Sequence, residues 1–127
     1  MHIEDRERLL HILDAARASV RIVHSVDRES FEESELHQNA TVHLVQIVGE
    51  AANRLSEEFK REHPEIPWPE IGGMRNRLVH DYYDINLDTV WNVVVEDIPP
   101  LIEWVEGVLA NDEILTSDNG TNPPPEI

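Results

Sequence analysis

Apolar residues at helical spacing run through most of this chain, and this spacing limits the folds that it can adopt. In the first segment, apolar residues recur at steps of three and four, which places them on one face of a helix. These residues are Leu9, Leu13, Ala16, Val20 and Val23. The same spacing returns over residues 40–59 and 87–108. We therefore predict an all-α fold, a bundle of four to five helices.

Polar and proline-containing segments set the expected ends of these helices. The second helix is expected to start near Ser34, after a polar turn, and to end at His63-Pro64, where proline forbids continuation. Small residues at positions 49–52 in this helix indicate a close approach by a neighbouring backbone. A short third helix is predicted from Gly73 to Tyr82.

Asn86 can cap a fourth helix, which Pro99-Pro100 should kink. We place the helical domain at residues 1–110. Residues 111–127 are rich in Asp, Asn, Gly and Pro without apolar periodicity, which predicts a disordered, acidic C-terminal tail. The tryptophans Trp68, Trp91 and Trp104 are spread along the sequence, which favours core or dimer contacts over a base-stacking platform.

The composition excludes several classes of function and argues against general binding to nucleic acid. The chain has no cysteine, so disulfides and cysteine nucleophiles are excluded. No apolar run is long enough to span a membrane, and the charged N-terminus does not resemble a signal peptide. We expect a cytoplasmic protein. Its net charge of -16 opposes general electrostatic binding to nucleic acid, so any RNA site must concentrate its cations locally.

Residues 74–83 hold the densest cluster of functional side chains. Imidazole titrates near neutrality, so His80 could move a proton off a ribose 2′-hydroxyl or onto a departing 5′-oxygen. The forked guanidinium of Arg75 could bind the phosphate oxygens as charge builds on them. Together these groups predict metal-independent cleavage of RNA. We expect no cofactor, and we expect no metal site because the remaining histidines lack ligand spacing with carboxylates.

An arginine five residues before a histidine is a weak signal alone, because Arg6 and His11 have the same spacing. Arg75 could instead form a surface ion pair with Glu70 or Asp81, a contact worth about 0 to 1 kcal/mol. His80 could serve only to satisfy carbonyls at the end of a helix. Arg77 could be solvated or could help to bind the RNA backbone.

The sequence Arg75-Asn-Arg-Leu-Val-His80-Asp-Tyr82 resembles the R-x-x-x-x-H-x-Y signature of HepT-like proteins in the HEPN superfamily. The resemblance extends over most of residues 1–110. It includes Gly49-Glu50-Ala51, Pro67-Trp68, Val90-Trp91 and Asp97-Ile98-Pro99, in the order of the family pattern.

This resemblance implies a homodimeric endoribonuclease toxin in which Arg75 and His80 are catalytic. Asn76 would support the site, and we add Arg77 and Asp81 as supporting residues. The products would carry a cyclic phosphate. The resemblance also implies an antitoxin partner, an MNT-type nucleotidyltransferase that transfers AMP from ATP to Tyr82. Bulk and negative charge beside Arg75 would then repel an RNA substrate, tRNA or mRNA.

Helix geometry supports one part of this arrangement and complicates another. On one continuous helix, Arg75 and Tyr82 would lie about 20° apart, whereas Arg75 and His80 would lie about 140° apart. A two-fold dimer could resolve the difficulty if Arg75 of one subunit serves His80 of the other.

Two other functions fit the sequence. One is a non-catalytic HEPN module that binds a nucleotide or a partner protein, which an acid-rich surface would suit. The other is a structural dimerising bundle, which the apolar seam over residues 91–108 would favour.

Overall fold

The structure, a computed structural model, describes residues 1–80 and 84–118, with the side chains of the second range described up to residue 112. Within these ranges the chain is almost entirely helical and contains no β-strand beyond an isolated bridge, which confirms the predicted all-α class. The helices are α1 (Ile3–Ser25), α2 (Arg28–Glu32), α3 (Glu35–Asn53), α4 (Glu57–Glu62), α5 (Trp68–Gly72), α6 (Met74–Leu78), α7 (Leu87–Asn92) and α8 (Ile98–Asp118). A π-helical turn, Val93–Asp97, joins α7 to α8.

Three long helices form the core. α1 packs most extensively on α3, and α8 packs against α1. The apolar stripe predicted for α1 faces this core, since Leu9 and Ala16 are fully buried. Val45 of α3 and Val105 of α8 meet them there. Burial of these side chains is the main stabilising contribution, at about 1.5 to 3 kcal/mol for each large aliphatic residue.

The predicted second helix is interrupted, and the prediction that it continues to His63 is wrong. α3 ends at Asn53, and α4 starts after Ser56, whose hydroxyl accepts a hydrogen bond from the backbone N–H of Phe59 at 3.1 Å. The buried carboxylate of Asp5 accepts from the Ser56 N–H at 2.8 Å and from its hydroxyl at 2.7 Å. These hydrogen bonds to α1 fix the break between α3 and α4. The break cannot be seen in the apolar spacing of the sequence, because Phe59 remains buried and continues the pattern.

The last helix is also longer and less regular than we predicted. α8 continues past Ala110 to Asp118, and the Asp112 carboxylate contacts Arg6 of α1 at 3.3 Å. Before Pro99-Pro100 the helix forms the π turn, in which the Ile98 N–H donates to the Val93 carbonyl. The two prolines lack N–H donors, so the regular bonding pattern cannot continue there. Residues 119–127 of the predicted tail lie outside the described residues.

A close helix contact positions the segment that carries the motif. A Cβ on Gly49 of α3 would lie 3.1 Å from the carbonyl oxygens of Ile71 and Gly72. The small residues of α3 therefore let the backbone of α5 pack directly against it, as the sequence predicted. α5 leads into α6 through Gly73, so this contact also places α6.

Candidate functional site

The helix that carries the motif is shorter than predicted. α6 covers Met74–Leu78, and Val79 has extended backbone angles, φ -131° and ψ 119°. The prediction of a helix from Gly73 to Tyr82 is therefore wrong. Val79 and Ile85 form an isolated antiparallel bridge, and the Asn86 N–H donates to the Leu78 carbonyl at 2.8 Å. These contacts turn the chain back on itself instead of continuing the helix.

His80 therefore lies beyond the end of α6, in the loop that this bridge closes. Its backbone N–H donates to the Asp84 carbonyl at 2.9 Å, which fixes its main chain, and its side chain is exposed. The angle of about 140° between Arg75 and His80 assumed a continuous helix. That obstacle does not apply, because His80 is not in the helical register of Arg75.

Arg75 and Asn76 occupy the exposed side of α6, while Met74 and Leu78 anchor the helix in the core. No residue in the described part of the chain pairs with the Arg75 guanidinium, so the predicted alternative of an ion pair with Glu70 does not occur there. The other suggested partner, Asp81, lies outside the described residues, as do Tyr82 and Tyr83.

Arg77 is placed differently from Arg75. At 100° per residue the two side chains project about 160° apart on α6. Arg77 forms an ion pair with Asp97, with 3.4 Å between Nη1 and Oδ2, and both side chains are about half exposed. Asp97 was noted from the sequence only as part of the family pattern, and its pairing with Arg77 could not be read from spacing.

The Arg77 side of α6 borders a groove of about 390 Å³. Its floor is apolar and its rim carries three carboxylates as well as Arg77. The lining residues are Ile66, Pro67, Glu70, Ile71, Met74, Arg77, Glu96, Asp97, Pro100 and Leu101. Neither Arg75 nor His80 lines it, so this groove does not join the two predicted catalytic residues.

The tryptophans are closer together than their spread along the sequence suggested. The rings of Trp68 and Trp104 lie 5.7 Å apart in an edge-to-face contact, and both contact Phe59. Trp91 instead packs on Phe31 at 5.3 Å. Trp68 and Trp104 thus form one aromatic cluster, and the interpretation of all three as dispersed is wrong for this pair.

The described part of the chain shows neither a metal-binding cluster nor a membrane-spanning helix. Within residues 1–80 and 84–112, no three His, Asp or Glu side chains are grouped so that they could hold a metal ion. No helix in the described part of the chain is both long and apolar enough to cross a bilayer.

Comparison with known proteins agrees with the motif. The family model described as "Ribonuclease HepT-like" matches residues 12–108. A protein of Caldanaerobacter subterraneus subsp. tengcongensis named "Putative RNase" is 32% identical over 108 residues, which cover 85% of this chain and 96% of that protein. A protein of Methanocaldococcus jannaschii, also named "Putative RNase", is 31% identical over 98 residues, which cover 77% of this chain and 90% of that protein.

A third relative carries a more specific name. The "Probable ribonuclease HepT" of Thermococcus cleftensis is 44% identical over 64 residues, 50% of this chain and 58% of that protein. No solved structure matches the chain significantly. Since the family model covers most of the helical domain, the chain belongs to the ribonuclease HepT-like family of the HEPN superfamily.

Proposed function

We propose that this protein is a metal-independent endoribonuclease, the toxin of a HEPN/MNT toxin–antitoxin pair. The observation that carries the proposal is the environment of the Arg75 side chain. In a chain with 26 acidic residues, its guanidinium is exposed and has no carboxylate partner among the described residues. An exposed guanidinium without a carboxylate partner in the described part of the chain suits a phosphodiester better than it suits a structural ion pair.

The proposed reaction is attack by the ribose 2′-oxygen on the adjacent phosphorus. The O2′–P bond forms and the P–O5′ bond breaks, leaving a cyclic phosphate on one product and a free 5′-hydroxyl on the other. His80 mediates the transfer of the proton from O2′ to O5′. Arg75 donates hydrogen bonds to the non-bridging oxygens, which gain charge in the pentavalent species. No step requires a metal ion.

We propose that the site is completed in a homodimer, with Arg75 of one subunit beside His80 of the other. HEPN membership and the exposure of both side chains support this arrangement. Asn76 and Asp81 would orient the catalytic groups, and Arg77 would contact the RNA backbone when it leaves Asp97. A dimer also doubles the local number of cations, which offsets part of the repulsion between RNA and an acidic protein.

Cleavage assays on purified protein test the ribonuclease proposal. Wild type should cleave tRNA or mRNA in the presence of EDTA. Arg75→Ala and His80→Ala should each lower the rate by about 10²-fold or more. Arg54→Ala and His43→Ala are matched controls, since both residues are exposed and lie outside the motif, and they should cleave normally. If wild type leaves RNA intact at every salt concentration, the non-catalytic module is favoured; if EDTA abolishes cleavage, the mechanism is wrong.

We further propose that the antitoxin silences the site by transferring AMP to Tyr82. The support is the motif tyrosine two positions after His80. Coexpression with an MNT-type nucleotidyltransferase, followed by mass spectrometry, should show AMP-sized increments on the peptide that contains Tyr82. Tyr82→Phe should remove them, and Tyr83→Phe should not. Full neutralisation of an unmodified toxin would contradict silencing by modification.

A further inference from the structure

The structure contains a second surface feature that shares no residue with the motif. It is a groove of about 540 Å³ between α8 and the loop that follows α4, which we call the α8 groove. Its lining combines an aromatic ring, two carboxylates and small or apolar residues. The residues that line it are His63, Glu65, Pro100, Glu103, Trp104, Gly107, Val108 and Asn111.

The aromatic wall of this groove is held rigidly. The Trp104 ring makes edge-to-face contacts with His63 at 5.4 Å and with Trp68 at 5.7 Å between ring centroids. Its indole N–H donates to the Glu65 carboxylate at 3.2 Å. Trp104 is half-buried and fixed in this way, and tryptophan is the preferred aromatic partner of a cation.

The groove is also negatively charged. Glu65 and Glu103 line it, and neither lysine nor arginine does; His63 also lines it, with its Nδ1 3.4 Å from a Glu65 carboxylate oxygen. The bond from its own backbone N–H lowers the pKa of Glu65; desolvation opposes this shift, and the hydrogen bonds from Trp104 and His63 and the charge of His63 add to it. Glu65 is therefore ionised near neutrality, directly beside the Trp104 ring.

Gly107, on the floor of the α8 groove, has no structural explanation within the described chain. A glycine inside a helix costs about 1 kcal/mol relative to alanine. At Gly49 that cost has a reason, because α5 packs against it, but a Cβ on Gly107 would have no neighbour within 4 Å. The open floor therefore suits close approach by a group from another molecule.

We propose that the α8 groove is a docking site for an arginine or lysine side chain presented by a partner protein. The cation would lie over the Trp104 ring, between Glu65 and Glu103, with its aliphatic stem along Gly107 and Val108. Charge complementarity selects this occupant. Glu65 and Glu103 line the groove and neither lysine nor arginine does, so the groove itself favours a cationic side chain over an anionic group.

Titration with a tetra-arginine amide peptide tests the site, with a tetraglycine amide as the uncharged control. In ¹H–¹⁵N spectra, tetra-arginine should shift the indole N–H signal of Trp104 and leave that of Trp91 in place, and tetraglycine should shift neither. Glu65→Gln combined with Glu103→Gln should weaken binding about fivefold or more. Glu29→Gln combined with Glu33→Gln makes the same charge change at exposed acids in α2 and directly after it, and it should alter binding less than twofold.

Gly107→Leu provides a variant that should fold, because the site has open space. It should fill the groove and weaken tetra-arginine binding, with the oligomeric mass unchanged in sedimentation. If the double variant of Glu65 and Glu103 and the double variant of Glu29 and Glu33 lose tetra-arginine binding equally, the binding reflects only the overall charge of the protein, and the proposal is overturned. A change of oligomeric mass in Gly107→Leu would assign the groove to a second copy and would also overturn it.

Discussion

The backbone N–H of His80 donates to the carbonyl oxygen of Asp84 at 2.9 Å, so the motif histidine is held by a closed loop and not by a helix. The bridge between Val79 and Ile85 reinforces this closure. Its consequence is that Arg75 and His80 of one chain lie on different local structures, a five-residue helix and the loop after it. The relative placement of the two groups therefore depends on how α5 and α6 are seated on α3.

Gly49→Ala tests this dependence. The added Cβ would lie 3.1 Å from two carbonyl oxygens of α5, so α5 and α6 must shift. We expect a loss of about 1 to 3 kcal/mol in the free energy of unfolding, measured by urea denaturation, because overpacking forces backbone movement. The rate of RNA cleavage should fall with it.

Gly107→Ala is the matched control, since it makes the same change inside another helix but in open space. It should raise the free energy of unfolding by up to about 1 kcal/mol, because alanine is the better helix former. Equal effects of the two substitutions would contradict the packing role of Gly49.

The ion pair between Arg77 and Asp97 yields a second prediction. Asp97→Asn removes the carboxylate from the Arg77 guanidinium and should change the free energy of unfolding by less than about 1 kcal/mol, because both side chains are half exposed. The freed cation should strengthen RNA binding, measured as a lower KM. Glu106→Gln, which frees Arg17 in another exposed pair, should lower KM less. An unchanged KM in Asp97→Asn would exclude Arg77 from the RNA surface.

Asp27 predicts a specific pH dependence of stability. Its carboxylate accepts from the Ser30 N–H at the start of α2, and the Ser30 backbone and hydroxyl hydrogen bonds lower its pKa below the usual 3.8. Because the folded pKa is the lower one, the contribution is complete above the unfolded pKa and is lost as pH falls through the folded value. Asn caps helices equally well without titrating.

The free energy of unfolding of Asp27→Asn should therefore vary with pH as that of wild type does, except at acidic pH. The difference in the free energy of unfolding between the two proteins should be constant from pH 7 to about pH 5 and should shift against wild type below about pH 4. Urea denaturation at each pH measures it. A constant difference down to the acid limit would show that Asp27 does not act through its charge.

Much of the fold could be predicted from apolar spacing. The parts that could not be predicted have one physical cause in common. Periodicity placed Leu9 and Val105 in the core because burial follows directly from a helix face. It could not locate the break before α4, because Phe59 continues the buried stripe on a new helix and the stop comes from Asp5, far away in sequence. Local pattern cannot report a bond between distant residues.

In the candidate site, too, the sequence identified the residues but not the tertiary contacts that position them. The motif identified Arg75 and His80, and both are exposed as a substrate site requires. The end of α6 at Leu78 was not predictable from composition, since residues 79 and 80 continue an acceptable helical pattern. It depends on pairing with Ile85 and Asn86 across the loop, a tertiary contact that overrides local preference.

Mixing two inactive variants tests the central claim, a shared site across a molecular two-fold. Arg75→Ala and His80→Ala proteins are each purified, mixed, unfolded and refolded together, and assayed for RNA cleavage. Half of the random dimers would be mixed, and one of their two sites would combine an intact Arg75 with an intact His80 from the other subunit. We predict recovery of about a quarter of wild-type activity. A mixture that stays as inactive as its components, although native mass spectrometry shows mixed dimers, would contradict the account.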